Sequence, residues 1–170
     1  SAVNSPDLYQ EASWLALLPL LTRPEAERFL IIGLGGGRTL AAVPPPVREV
    51  ELIELEPEVV HANRVAVESL GLRDPLDDPR LSLRIGDARG ALMLTGKNYD
   101  AIIMDPPSFG RGPKGEVWNI ENMLSQFMKA CQNILKDSPA LLLFTTHSPG
   151  FSALTLENMM RTYFQAHKSG

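Results

Sequence analysis

Hydrophobic positions along the chain fall into short apolar runs that alternate with stripes of helical spacing. The runs predict five strands, at residues 29–32, 50–54, 81–85, 99–104 and 140–144. The stripes predict helices over residues 6–21, from 38 to the prolines at 44–46, from 57 to 70, and over 89–94, 120–135 and 156–164. Strands that alternate with helices indicate an α/β fold with a parallel sheet covered on both faces.

Two of the predicted helices differ in how their apolar positions are arranged. The helix over 120–135 has the clearest stripe: Ile120, Met123, Leu124, Phe127, Met128, Cys131, Ile134 and Leu135. In the helix that Pro57 opens, one face is formed by Val59, Ala62, Ala66 and Leu70, and Gly71 follows as a terminating residue. Residues 105–118 hold three prolines and three glycines, and we expect them to form a long loop that ends at Trp118, a packing anchor.

Composition narrows the class of protein without naming a function. The 170 residues suit a single domain spanning 1–170, and 44% hydrophobic with 21% charged residues excludes a disordered chain. A net charge of −4 gives no support to binding of a phosphate backbone.

A single cysteine excludes an internal disulfide and suits a reducing, cytoplasmic location. The longest nearly unbroken apolar run, 14–21, is too short for a membrane span, and no clustered ligands suggest a metal.

A glycine-rich turn follows the first predicted strand. Gly33, Gly35, Gly36 and Gly37 lie between that strand and a predicted helix. Glycines allow a sharp turn and a close approach of a ligand, and amide groups at a helix start face whatever lies there. The pattern lacks the third glycine of G-x-G-x-x-G, since Leu40 stands there, and it has no P-loop lysine. We favour a nucleotide-binding turn over a merely tight connection.

Acidic residues end the next two strands. Glu54 lies 21 residues after Gly33, where an acid can accept hydrogen bonds from both hydroxyls of a ribose; the alternative is a solvated surface glutamate. Asp87, followed by Ala88, comes after the third strand and is suited either to an adenine amine or to capping the following helix. Three such positions suggest an adenosine across the carboxyl edge of the sheet.

These motifs resemble those of class I S-adenosylmethionine-dependent transferases. Over residues 8–103 the closer resemblance is to spermidine synthases, the polyamine aminopropyltransferases, through the segments 9–11, 18–20, 30–33 and 54–60. This resemblance implies a three-layer Rossmann-like fold with strand order 3-2-1-4-5. It also implies that Gln10 contacts the amino-acid end of the cofactor, Glu54 its ribose and Asp87 its adenine. The chain departs from the family at Gly36, where those enzymes carry an aspartate for the cofactor amine.

A stiff segment, Asp105-Pro106-Pro107-Ser108-Phe109, follows the fourth strand. Each proline restrains the backbone, so the Asp105 carboxylate and the Pro106 carbonyl can be held toward a substrate amine while Phe109 stacks on a planar group. The alternative is a rigid strand exit with a solvated aspartate. Arg111 and Lys114 flank the segment and suit either an anionic substrate or a solvated loop face.

From residue 99 to 164 the chain resembles a different group, the Asp-Pro-Pro methyltransferases related to 23S rRNA cytosine-C5 enzymes. Aminopropyltransferases have an Asp-Ser-Ser-Asp-like segment here, of which this chain keeps only Asp105. Attack on a cytosine ring needs a thiolate, and Cys131 lies in an apolar stripe, so C5 chemistry is disfavoured. His147 suits either a proton carrier or a solvent-facing residue, whereas His61 and His167 read as surface residues.

The leading hypothesis is an S-adenosylmethionine-dependent methyltransferase-like enzyme acting on an amine or oxygen acceptor, either a small amine or RNA. The alternatives are aminopropyl transfer from decarboxylated S-adenosylmethionine and a nucleoside-binding or structural domain without turnover. The usual final antiparallel hairpin is not expected, which would leave a sheet edge exposed or buried in a homodimer. A fragment, a natural hybrid and an engineered chimera all remain open.

Overall fold

The computed structural model describes residues 6–135, 141–146 and 150–164, with side chains from residue 13 onward. Its strands are β1 (Arg28–Ile32), β2 (Glu49–Glu54), β3 (Leu81–Ile85), β4 (Ala101–Met104), β5 (Phe109–Arg111), β6 (Val117–Asn119) and β7 (Leu141–Phe144). Its helices are α1 (Pro6–Thr22), α2 (Arg38–Ala41), α3 (Pro57–Ser69), α4 (Ala88–Leu94), α5 (Ile120–Ile134) and α6 (Ala153–Phe164). Within these ranges no helix is long and apolar enough to cross a membrane.

Five strands form one parallel sheet in the order β3-β2-β1-β4-β7. This confirms the predicted fold and strand order, because β7 is the fifth strand of that sheet. Ile32 pairs with Ile53 on one side and with Met104 on the other, so β1, β2 and β4 end level with one another. The carboxyl ends of the three central strands therefore open onto a common edge, where open α/β sheets bind their ligands.

Hydrophobic residues alternate between the two faces of the sheet and create one core on each. On one face Leu30, Ile102 and Met104 pack against the apolar stripe of α5, including Phe127 and Met128. On the other face lie Phe29, Ile31, Val50, Leu52 and Ile103, packed with Leu40 of α2. Central strands buried on both faces explain why the sequence shows continuous apolar runs rather than alternation.

The prediction of a long loop over 105–118 is wrong in part. Its second half folds into an antiparallel hairpin, in which Gly110 pairs with Trp118 and Arg111 with Val117. The hairpin turns through Gly115, whose φ is +84°. Trp118 is 5% exposed, which confirms its role as a packing anchor. Strands of three residues are too short to show alternation of apolar and polar positions, so the sequence pattern did not predict the hairpin.

The prediction that one face of α3 is buried is also wrong in part. Val59 packs against the core, but Ala62 and Ala66 are exposed and Leu70 is 60% exposed. Among the described residues no layer covers the later turns of this helix. Helical spacing thus located the helix correctly, while burial followed from what lies next to it.

Candidate functional site

The glycine turn directly follows β1 and needs glycine for two reasons. Gly33, Gly35 and Gly37 have φ values of +91°, +51° and +71°, in the left-handed region that other residues rarely adopt. A Cβ on Gly33 would lie 2.5 Å from the carbonyl oxygen of Asp105. Gly33 therefore lets the ends of β1 and β4 approach each other, and it brings the glycine turn against the Asp-Pro-Pro segment.

Glu54 ends β2 beside this turn and is only 5% exposed. Its Oε2 accepts a 2.7 Å hydrogen bond from the Leu34 amide, and its Oε1 accepts a 2.9 Å bond from the Glu56 amide. The solvated surface glutamate considered above is thereby excluded. These contacts hold the carboxylate in place beside the turn. Its role as the ribose ligand stays a prediction.

Asn63 of α3 holds the glycine turn by a hydrogen bond, and sequence analysis did not identify this residue. Its Nδ2 donates to the Gly35 carbonyl at 2.7 Å and to the Val59 carbonyl at 2.9 Å. A Cβ on Gly37 would lie 2.8 Å from its Oδ1. An asparagine inside a helix that is otherwise rich in alanine and valine was the available signal, because such a side chain needs a backbone partner.

Asp87 adopts the capping role that had been one of its two interpretations. Its Oδ1 accepts from the Arg89 amide at 2.9 Å, at the start of α4, and its Oδ2 accepts from Arg89 Nε at 2.9 Å. The hydrogen bond to Asp87 raises the pKa of the Arg89 guanidinium. Ala88 is the first residue of α4. Arg89 Nη2 also donates to Oδ2, so Arg89 contacts both carboxylate oxygens. The adenine contact predicted for Asp87 and Ala88 stays a prediction.

The Asp-Pro-Pro segment leaves β4 in a fixed path. The Asp105 amide donates to the Ile32 carbonyl at 3.0 Å, and Trp118 Nε1 donates to the Pro107 carbonyl at 2.6 Å. Pro106 is buried, whereas Phe109 is 54% exposed at the start of the hairpin. The segment is therefore held at both ends, as the two prolines predicted, and it leaves an aromatic ring accessible.

The hairpin is attached to the end of β2 through Glu56 and Leu55. Glu56 Oε1 accepts a 3.1 Å hydrogen bond from the Arg111 amide. A Cβ on Gly110 would lie 2.7 Å from Leu55 Cδ2, so the hairpin backbone rests directly on that side chain. The two motifs that resemble different families are thus joined at one place in the structure.

These elements enclose two adjoining hollows that share four residues. An open cleft is lined by Gly33, Gly35, Glu54, Glu56, Val59, Asp105, Pro106, Pro107, Ser108 and Phe109. A smaller pocket is lined by Ile32, Gly33, Ile53, Glu54, Leu55, Gly86, Asp87, Ala88, Pro106, Pro107, Trp118 and Phe127. Glu54 lies where the two meet, and Asp87 and Asp105 lie in different hollows.

Most of the predicted site residues therefore converge. Gly36 and Gly37 belong to the turn but do not line either hollow. The side chain of Gln10, and His147 and His167, lie outside the described residues. His61 is exposed, as expected of a surface residue.

The open cleft is acidic. Glu54, Glu56 and Asp105 line it, and no lysine or arginine is among its described lining residues. Across the described ranges, no group of three His, Cys, Asp or Glu side chains is placed to hold a metal ion. The charge of the cleft therefore suits a cationic ligand group.

Cys131 has no access to this site. It is fully buried in the α5 core, and burial raises the pKa of its thiol far above the ordinary value. A buried protonated thiol is neither a nucleophile nor a ligand. This agrees with its interpretation as a core residue.

Comparison with known proteins agrees with the spermidine synthase resemblance. The family model "Spermine/spermidine synthase domain" matches residues 7–166. A polyamine aminopropyltransferase of Korarchaeum cryptofilum is 30% identical over 152 residues, covering 88% of this chain and 44% of the relative. One from Desulforudis audaxviator is 29% identical over 148 residues, covering 86% and 50%. The chain spans about half the length of the curated relatives it matches.

Solved structures share the fold. A SAM-dependent methyltransferase from Agrobacterium tumefaciens superposes with a TM-score of 0.74 at 24% identity, over 93% of this chain and 50% of that one. A spermidine synthase in complex with the transition-state analogue AdoDATO gives 0.61 at 27% identity, over 76% and 42%. With a family match over nearly its whole length, the chain belongs to the spermine/spermidine synthase domain family.

Proposed function

We propose that the chain binds an S-adenosyl nucleoside in the two hollows and directs transfer of an aminopropyl group from decarboxylated S-adenosylmethionine to a small amine. The observation that carries this proposal is the position of Glu54. A buried carboxylate stands where an apolar pocket meets an acidic cleft. A nucleoside with a cationic tail matches this arrangement: its flat base suits the apolar pocket, its diol suits the carboxylate, and its positive charge suits the acidic cleft.

The residues fit the nucleoside. A carboxylate has about four lone-pair positions, and the Leu34 and Glu56 amides occupy two at Glu54, which leaves acceptors for two sugar hydroxyls. The smaller pocket offers Ile53, Leu55 and Ala88 to an apolar base surface. Asp87 also lines this pocket, where an exocyclic amine would share the carboxylate with Arg89.

The charge of the cleft favours the decarboxylated form of the cofactor. A tail that ends in an amine places positive charge beside Glu56 and Asp105, whereas a carboxylate there would meet two acids and no described basic lining residue. The relatives that match over most of the chain are named polyamine aminopropyltransferases, which supports the same choice. Aminopropyl transfer is therefore favoured over the methyl transfer expected from sequence.

The chemistry asked of the chain is chiefly positioning. The cofactor supplies a sulfonium, which makes the neighbouring carbon electrophilic. The amine lone pair of the acceptor forms a bond to that carbon, the carbon–sulfur bond breaks, and its electron pair stays on sulfur, giving a neutral thioether. The amine loses one proton, and Asp105 in the cleft is the acceptor that we assign to it.

Methyl transfer is the second candidate, and the Asp105-Pro106-Pro107 segment favours it. Asp105 and Pro106 both line the cleft, with exposed Phe109 beside them. A planar amine, free or within RNA, suits that arrangement. The acidic lining opposes a phosphate close to the cleft, which argues for a small acceptor over RNA.

Product analysis distinguishes these functions. The chain is incubated with putrescine and either decarboxylated or intact S-adenosylmethionine, and products are identified by mass spectrometry. We expect spermidine and methylthioadenosine from the decarboxylated cofactor, a loss of at least about 100-fold with Asp105→Asn, and little change with the exposed control Asp77→Asn. Methylated product from the intact cofactor would replace our proposal with methyl transfer. Binding without any product would leave a nucleoside-binding domain.

A further inference from the structure

We infer that Thr145, at the end of β7, is the positioning residue for Asp105. This rests on the proposed function, which gives Asp105 the proton of the acceptor amine. Met104 and Phe144 are paired in register, so the residues that follow them leave neighbouring strands side by side. Thr145 Oγ1 lies 2.8 Å from Asp105 Oδ1.

The direction of this hydrogen bond follows from the groups around the hydroxyl. The Thr145 amide already donates to the Met104 carbonyl at 2.9 Å, and Oγ1 lies a longer 3.3 Å from that same oxygen. The single hydroxyl proton therefore goes to the carboxylate, where a charge-assisted bond is shorter and stronger. Asp105 Oδ1 is an acceptor in this bond.

The second carboxylate oxygen is left for the reaction. Asp105 Oδ2 is the nearest atom to an ideal Cβ on Gly35, at 4.0 Å, so it is turned toward the glycine turn and into the cleft. With Oδ1 tied to Thr145, the carboxylate cannot rotate freely about its last torsion. The threonine thus fixes the plane of the carboxylate and the angle at which its other oxygen faces the acceptor.

Sequence pattern alone could not assign this role. Thr145 and Thr146 follow the same apolar run, and only the register between β4 and β7 shows which hydroxyl meets Asp105. Because Thr145 acts through Asp105, we expect its replacement to change turnover and not cofactor affinity.

The test compares Thr145→Val, which keeps the shape but removes the hydroxyl, with Thr145→Ser, which keeps the hydroxyl. Thr162→Val on exposed α6 is the matched control, since it removes a hydroxyl remote from the cleft. We expect Thr145→Val to lower kcat about 10- to 100-fold with KM for putrescine and affinity for methylthioadenosine within about twofold, and Thr145→Ser to restore most of kcat. A serine variant as slow as the valine variant, or a valine variant at full kcat, would overturn the inference.

Crystal structures of the two variants give a readout that does not depend on turnover. Asp105 should rotate away from its present orientation in Thr145→Val and keep it in Thr145→Ser. An unmoved carboxylate in Thr145→Val would contradict the positioning role even if the wild-type chain has no transferase activity. Absence of wild-type activity with a rotated carboxylate would instead refute the proposed function and leave the positioning contact standing.

Discussion

The amide of Leu34 and the carboxylate of Glu54 are joined by a 2.7 Å hydrogen bond, across the boundary between β1 and β2. The bond makes the glycine turn and the acidic strand end one unit, although 20 residues separate them in sequence. The Glu54 carboxylate is held before any ligand arrives, so little ordering is required of it on binding. Preorganisation of this kind is the reason we place the nucleoside at Glu54.

Gly33→Ala should disrupt both the fold and the site. A methyl group there meets the Asp105 carbonyl oxygen at 2.5 Å, and the φ of +91° disfavours alanine in any case. We expect a loss of about 2–4 kcal/mol in the free energy of unfolding, measured by urea denaturation. Gly36→Ala is the matched control, because nothing lies within 4 Å of its Cβ position. Equal stability of the two variants would show that the strand ends do not approach as described.

Stability should fall in acid partly through Asp78. Hydrogen bonds from the Arg80 side chain lower the pKa of Asp78 in the folded chain, and the same guanidinium donates to the Pro44 and Val47 carbonyls. A lowered folded pKa gives stability that is present above the unfolded value and is lost as the pH falls through the folded value.

Asp78→Asn should therefore cost about 1–2 kcal/mol at pH 7 and progressively less below about pH 4, measured by urea unfolding at each pH. Asp77→Asn, at an exposed neighbour whose contact to Arg64 lies on the surface, should cost less at pH 7. A constant cost of Asp78→Asn across this range would contradict the ion pair.

Cys131 should behave as a core residue and not as a nucleophile. The native chain should fail to react with a thiol reagent, and one thiol should react in urea, because burial keeps the sulfur protonated and inaccessible. Cys131→Ala should leave methylthioadenosine affinity unchanged while reducing stability by about 1 kcal/mol. Rapid labelling of the native chain that also abolishes binding would place the thiol at the site.

Sequence predicted the sheet and located most of the residues that the structure brings together at its carboxyl edge, because both depend on local patterns. Buried strands give apolar runs, and a turn with three positive φ values needs its glycines. Asp87 shows the limit of such patterns, since one residue type fits both a helix cap and a ligand contact. The structure shows the cap, and ligand binding at the same carboxylate stays a prediction.

What sequence could not predict depends on neighbours distant in the chain. Contact between Thr145 and Asp105 follows from strand register, and contact between Glu56 and the Arg111 amide follows from how the hairpin docks. In α3 the apolar pattern predicts a buried face, but positions such as Leu70 are exposed because nothing in the described structure packs against them. Pattern analysis locates elements, whereas packing decides which of their faces are used.

Calorimetric titration of methylthioadenosine into the wild-type chain, Glu54→Gln and Glu49→Gln tests the central claim most directly. Glu49 lies at the opposite end of β2 and is exposed, so its replacement controls for the loss of one carboxylate from that strand. We predict binding to the wild type and to Glu49→Gln, and at least about 10-fold weaker binding to Glu54→Gln, since one acceptor for the sugar hydroxyls is lost. No heat with the wild type, or equal affinity of a folded Glu54→Gln variant, would contradict the account.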